Sequence, residues 1–281
     1  MIQSLIIGNE VDIALYSGII AQSSYFGQLN SLQLVNNRLI ENNLPEQRFD
    51  ALFLVSQLEE PYPIFEQSIK SKSNIYFVDQ PFLSDKDLVV LDQLNVESGN
   101  LLFTEVLELE HPLVQEFIST RGNYLMFRYN KSIASKKHIR KNLLSALCFL
   151  SILSPMQVKK INVNSMETSE RGHPTLKIRL KMYDSSIAYI FLDFETTEEH
   201  NIMIESQKGT FQFNLSQNFL ENIHGVHFKS SPISNDELLL KTIESFGLHI
   251  IMNTPSKFSF HHYCLSINTL DKILNILQNS F

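Results

Sequence analysis

Three short stretches hold the residues whose types and spacing could do chemistry. The first is Gly8, which closes the apolar run Leu5-Ile6-Ile7 and opens a helical pattern at Asn9. A glycine there lets backbone N–H groups approach a phosphate at a helix N-terminus. The full phosphate turn would repeat glycine at Glu10 or near Ile13, whereas this chain carries the carboxylates Glu10 and Asp12. One such charge ~5 Å from a phosphate, at an effective dielectric of about 20, costs about 3 kcal/mol before screening. A lone glycine also simply ends a strand. The second stretch is Asp79-Gln80-Pro81, at the end of the run Ile75-Tyr76-Phe77-Val78. Gln80 can donate a hydrogen bond but can neither titrate nor carry charge, and Pro81 fixes φ after the strand. The third is His261-His262 with Cys264. No fourth ligand is spaced nearby, so the expectation is helix-surface or core side chains and no metal.

Other titratable residues offer less. His224 and His227 flank Gly225-Val226 in a strand-like segment and read as structural. His138 sits near a helix start, and Cys148 lies on an apolar helix without a basic neighbour to make a thiolate. No Ser-His-Asp arrangement and no P-loop spacing is present.

The elements that would position these residues fall into two halves. In the first, apolar strands (Ser4–Ile7, Phe49–Val55, Asn74–Val78, Leu101–Val106) alternate with helices (Asn9–Gln22, Tyr62–Lys70, Asp85–Leu94). The first helix is read with Val11, Ala14, Leu15, Gly18 and Ile19 on its inner face. Ser84 is an N-cap with acidic residues in the first turn. Buried strands alternating with helices predict a parallel sheet covered on both faces. Beyond about residue 110 the pattern changes to a short helix at Pro112–Ser119, a strand at Tyr124–Tyr129 and a helix at Ile139–Leu153. Period-two strands follow: Leu176, Ile178, Leu180 and Met182 share one face of Thr175–Met182, and Lys177, Arg179 and Lys181 the other. Turns at Asp184-Ser185-Ser186 and Lys208-Gly209 make hairpins, and helices at Asp236–Ile251 and Phe260–Leu277 close the chain. The fold class is thus α/β, with a Rossmann-like parallel-sheet domain over 1–110. An α+β domain with a mainly antiparallel open sheet covers 111–281.

Bulk composition narrows the function classes. The 281 residues carry 23 basic and 30 acidic side chains, a net charge of −7, without the basic stripe that nucleic-acid binding needs. The best basic run, Lys136-Lys137-His138-Ile139-Arg140-Lys141, reads as a solvated face. No apolar run is long enough to span a membrane. The N-terminus lacks the basic region of a signal peptide, and Cys148 and Cys264 read as buried free thiols. A cytoplasmic protein is expected.

In order and hydrophobic pattern the chain resembles the glucose–fructose oxidoreductase, inositol dehydrogenase and MocA (Gfo/Idh/MocA) family. Phe49–Ser56 resembles its Thr-Pro strand, Ile75–Pro81 its Glu-Lys-Pro strand, and Leu83-Ser84-Asp85 the helix start that follows. His111-Pro112 resembles the lead into the second domain, Leu147–Val158 the central helix with its following loop, and Gln207–Asn214 the glycine-containing hairpin. The resemblance implies NAD(P)-dependent oxidoreductase ancestry, with cofactor positions at Gly8, Asn9, Ser56, Gln57, Gln80 and Pro81. It also implies a ligand cleft between domains, lined near Gly8, Ser56, Gln57 and Gln80, and a homodimer through the open sheet face, where Tyr189, Phe191 and Asp193 lie beside the basic residues. The family lysine has become Gln80, and its His-Asp pair falls on Leu144 and Ser145. With the charge and the general base both replaced, the reading is a pseudo-oxidoreductase that binds or assembles, without a cofactor. The alternatives are an NAD(P)-dependent oxidoreductase of a sugar-like substrate with an unusual active site, and a small-molecule or nucleotide-sugar sensor.

Overall fold

The computed structural model describes residues 1–39, 44, 48–112, 114–115, 118, 124–133, 135, 138–153, 158–168, 174–194, 200–206, 209–216, 219–222, 227–229, 233–256 and 258–278. Two compact units emerge. The first comprises Met1–Leu107 and Ser234–Cys264, the second Glu108–Ile233 and Leu265–Phe281.

The first unit is built on a six-stranded sheet of order β3-β2-β1-β4-β5-β6. Its strands are β1 (Ile2–Gly8), β2 (Phe26–Val35), β3 (Arg38–Leu39), β4 (Ala51–Leu54), β5 (Asn74–Phe77) and β6 (Leu102–Thr104). All neighbours are parallel except the β2–β3 hairpin. The continuous burial of β4, β5 and β6 explains their unbroken apolar sequences. Helices α1 (Glu10–Ile20), α2 (Pro61–Lys70) and α3 (Asp85–Ser98) connect the strands. Ser84 caps α3 in a reciprocal capping box with Asp87, and Gly99 ends that helix in the left-handed region at φ 70°.

Two features depart from the sequence reading. Strand β2 lies in a segment read as neither helix nor strand. On α1, Val11, Ala14, Leu15 and Gly18 face solvent, while Tyr16, Ile19 and Ile20 are buried with Ile13 packed beside them. Of the predicted inner face only Ile19 is buried, because apolar residues lie on both sides of this helix and periodicity alone does not choose between them. Helix α5 (Asn235–Met252), which follows the second sheet in the chain, packs on this first one. Its Phe246 meets Phe26, Phe53, Tyr76 and Phe103, from four strands, at centroid distances of 5.5–6.2 Å. Such aromatic contacts add to plain area burial.

The second unit holds an eight-stranded sheet of order β14-β13-β12-β11-β7-β10-β9-β8. The strands are β7 (Tyr124–Ser132), β8 (Val158–Thr168), β9 (Pro174–Met182), β10 (Ile187–Asp193), β11 (His200–Ser206), β12 (Gly209–Asn214), β13 (Phe219–Asn222) and β14 (His227–Lys229). Only the β7–β10 pair is parallel. Helix α4 (Ile139–Leu153) covers β7 and β10. Leu176, Ile178, Leu180 and Met182 are buried, as their period-two spacing predicts. The last helix, α6 (Phe260–Gln278), is divided between the two units after Cys264. The predicted helix at 112–119 and the turn at Lys208 lie partly outside the described residues, and His224 lies wholly outside them.

Candidate functional site

In the first unit β1 has its crossover partners on opposite sides, β2 on one flank and β4 on the other. The carboxyl ends of β1 and β4 therefore mark the sheet's switch point, where open α/β sheets bind ligands. Gly8, Asn9, Ser56 and Gln80 meet here. A Cβ on Gly8 would sit 2.7 Å from Val55 Cγ2 and 2.9 Å from Ser56 Oγ, so glycine is required by β1–β4 packing alone.

Asn9 then caps α1, its side-chain oxygen accepting from the Asp12 N–H at 2.9 Å. Its amide donates to Asp12 Oδ2 at 2.8 Å, and its backbone N–H donates to Ser56 Oγ at 2.9 Å. The Ser56 hydroxyl in turn donates to Asp12 Oδ2. The N-terminus of α1 is thus capped by the Asn9 side-chain oxygen, and the Asp12 carboxylate is tied beside it to Asn9 and Ser56. An incoming pyrophosphate would have to displace Asn9 from the Asp12 N–H and sit against the Asp12 carboxylate. The residues present do not fit a dinucleotide in that pose.

Gln80 is 1 % exposed and fully engaged. Its Oε1 accepts from the Leu58 N–H at 3.0 Å, and its Nε2 donates to Ser56 O at 3.1 Å and Val78 O at 3.3 Å. The Gln80 side chain pins loop backbone here. Gln57 is exposed and Pro81 half-buried in the following turn. Tyr263 on α6 donates to Asp79 Oδ1 at 3.1 Å. Beneath this edge the Tyr16 and Tyr76 hydroxyls both meet Glu105 Oε2. Burial first, and Glu105 second, push the Tyr16 hydroxyl far above the usual tyrosine range.

In the second unit Leu144 is buried and apolar, while Ser145 belongs to a polar cluster that sequence reading missed. Lys131 Nζ lies 2.9 Å from Glu108 Oε1, with side chains only 26 % and 17 % exposed. His200 stands opposite Lys131 on β11, and its ring lies edge-on to that of Tyr129 at 4.9 Å. Tyr129 Oη, Ser145 Oγ and His200 Nε2 are all buried beside this pair. Burial pushes the Tyr129 hydroxyl up, and Lys131 with Ser145 beside it draws it part of the way back. Burial would raise the Glu108 carboxyl, but Lys131, with His200 behind it, holds it at about 2. Burial and then Lys131 press His200 down to about 3, so it is neutral at pH 7. A signal was present in the alternation of Tyr129 and Lys131 on one strand. Glu108 and His200, far away in the chain, carried none.

The remaining candidates lie elsewhere. His138 is exposed at the start of α4. His261 pairs with Asp92 at 3.0 Å, whereas His262 meets Ser259 Oγ at 2.8 Å. Cys148 and Cys264 are free and buried, and burial raises the Cys264 thiol. Among the described residues no group of three metal-ligating side chains forms, and no helix is long and apolar enough to cross a membrane.

No protein family and no curated protein matches the sequence. Solved structures do match the fold along nearly its whole length. UDP-N-acetylglucosamine 3-dehydrogenase from Acidithiobacillus ferrooxidans aligns over 97% of this chain and 97% of its own, with TM-score 0.77 at 10% identity. Scyllo-inositol dehydrogenase from Lactobacillus casei covers 97% and 95%, with TM-score 0.69 at 10% identity. Biliverdin reductase from Synechocystis sp., solved with biliverdin and NADP+, covers 98% of each chain, with TM-score 0.69 at 13% identity. The fold is that of the Gfo/Idh/MocA-type dehydrogenases.

Proposed function

We propose that this chain uses the dehydrogenase fold as a binding scaffold and does not transfer hydride. The observation that carries the reading is the closed network of Asn9, Asp12 and Ser56 over the start of α1. The burial and full hydrogen bonding of Gln80 support it, because the position resembling the family lysine is spent on loop backbone. The two free thiols fit a reducing compartment such as the cytoplasm. Self-association belongs to the same reading. The open sheet face of the second unit stacks Arg128 over Phe191 at 4.7 Å and Arg179 over Tyr189 at 5.9 Å, a mixed aromatic and charged surface suited to a homodimer.

The polar cluster around Lys131 favours a second element, that the scaffold still takes a small molecule in its second unit. The test of the central reading is a turnover assay with NADH or NADPH and sugar-like carbonyl substrates. No hydride transfer is expected, and Gln80→Lys alone should not create it, since a positioned base typically contributes 10²–10⁴-fold and none replaces Leu144 and Ser145. Turnover above about 1 s⁻¹, the low end for working enzymes, would establish the oxidoreductase alternative instead.

A further inference from the structure

The amino edge of the parallel sheet, opposite the switch point, holds a cleft of about 440 Å³, within the size range of small-molecule sites. It lies inside the first unit, where β1, β4 and β5 begin and α5 ends. Ile250 and Ile251, from the last turn of α5, form an apolar wall, and the buried Ile2 adds to it. Ile251 is 55 % exposed, and Met252, next in the chain, is 63 % exposed. Arg48 and Lys72 supply the polar wall, and both are exposed. Arg38, Lys70, Lys131 and Arg140 each pair with a carboxylate, but among the described residues no carboxylate pairs with Arg48 or Lys72. The cleft's own carboxylate, Asp50, turns to the backbone instead, its Oδ2 accepting from the Gln3 N–H at 3.0 Å. Lys72 also stands at φ 61°, in the left-handed region just past the end of α2. Helices favour glycine or asparagine there, and this chain uses Gly99 after α3 and Asn253 after α5. A lysine at that place is held against a backbone cost.

We propose that this cleft binds a small amphiphilic carboxylate, a molecule with one carboxylate head and a short hydrocarbon tail. The Arg48 guanidinium offers paired N–H donors whose spacing matches the two carboxylate oxygens, and the Lys72 ammonium adds a point charge. Ile250 and Ile251 take the tail out of water, which is the main gain an apolar wall can offer. The charge balance selects a monoanion. Arg48 and Lys72 carry two positive charges against the one negative charge of Asp50, so a singly charged head neutralises the cleft. A phosphate monoester, approaching a charge of −2 at pH 7, would leave its second charge facing Asp50. The same head group accounts for a lysine at a position that favours glycine. The proposal goes beyond the functional reading and does not rest on it, because Asn9, Asp12 and Ser56 lie at the other edge of the sheet.

Saturation-transfer NMR and calorimetry on the full chain test it, with no nucleotide present, using hexanoate as the probe and butanoate, hexanol and hexyl phosphate as comparisons. Hexanoate should bind saturably. A buried methylene is worth about a four-fold gain in affinity, so butanoate, with its shorter tail, should bind about ten-fold more weakly. Hexanol, which lacks the charge, and hexyl phosphate, which carries too much of it, should each bind about five-fold more weakly or worse. Arg48→Gln and Lys72→Gln should each weaken hexanoate about ten-fold, the loss of a charge-assisted hydrogen bond. Lys72→Gly should weaken it equally and raise the ligand-free Tm by about 2 °C, since glycine adopts the left-handed region freely. These positions are exposed, so the variants keep the fold, and Ile251→Ser tests the tail wall in the same way. No saturable binding of hexanoate, equal binding of butanoate or hexanol, or unchanged affinity in Arg48→Gln and Lys72→Gln would overturn the proposal. Binding to anionic phospholipid vesicles without binding of hexanoate would assign the face to a membrane surface and overturn it too. Because the assay contains no NAD(P)H, its failure leaves the reading of the α1 N-terminus standing.

Discussion

At the scale of single residues, Asn9, Asp12, Ser56 and Gln80 are bound into the local structure by their own hydrogen bonds. Asp12 accepts from Ser56 and from Asn9, and hydrogen bonds to a charged acceptor are worth more than neutral ones. Asp12→Ala should therefore lower unfolding free energy by about 1–2 kcal/mol, and Asn9→Ala by about 1 kcal/mol through the lost cap, in urea titrations. Gly8→Ala should cost about 1–3 kcal/mol by overpacking, since its Cβ would press on Val55. In the second unit the buried charges set a pH dependence. The folded chain holds His200 at about 3 against 6.5 when free, so between those values the unfolded chain binds a proton that the folded chain refuses. Stability should fall as pH drops through this window. Glu108, held at about 2 against an ordinary value near 4.5, adds to the loss in the lower part. His200→Gln should flatten the urea midpoint between pH 6.5 and 4.5; an unchanged slope would mean that His200 is not protected.

At the scale of elements, the chain announces what is regular and conceals what is two-sided. β4 and β5 were readable because both of their faces are buried, which leaves unbroken apolar runs. β2, Phe26–Val35, intersperses Gln28, Asn30, Ser31 and Gln33 among its apolar residues, so no run stood out. Helix α1 is legible but its inner face only in part: Ile19 is buried as read, whereas Val11 and Leu15 mimic an inner stripe while Tyr16 reaches in to Glu105. The positions resembling the family's phosphate turn and lysine could be named from sequence. Their satisfaction by neighbours 20 to 50 residues away could not, since it depends on how strand ends converge. The same holds for Gly247 inside α5. Helix propensity predicts that Gly247→Ala gains about 1 kcal/mol, but the new Cβ would lie 2.8 Å from Tyr25 Cβ, a short-branch atom that cannot swing aside. The substitution should be net destabilising in thermal melts; a rise in Tm would show that α5 can shift away from β2.

At the scale of the whole molecule, the chain has the fold of the dehydrogenases, with the start of α1 in its first unit capped by its own side chains. The net charge of −7 contrasts with the basic and aromatic strip of Arg128, Lys177, Arg179, Tyr189 and Phe191 on the open sheet face. Cation–π stacking there holds long side chains in place before any partner arrives, which reduces the entropy lost on association. Sedimentation at tens of micromolar should show a dimer, and Phe191→Asp should shift it to monomer. A native chain that sediments as monomer would remove the dimer from the account. The central claim, that Asn9, Asp12 and Ser56 occupy the place a pyrophosphate would need, is tested most directly by calorimetric titration of the purified chain with NADH and NADPH. The account predicts no saturable heat up to about 1 mM, the range of a Kd worth only about 4 kcal/mol. Micromolar binding of either nucleotide would contradict it.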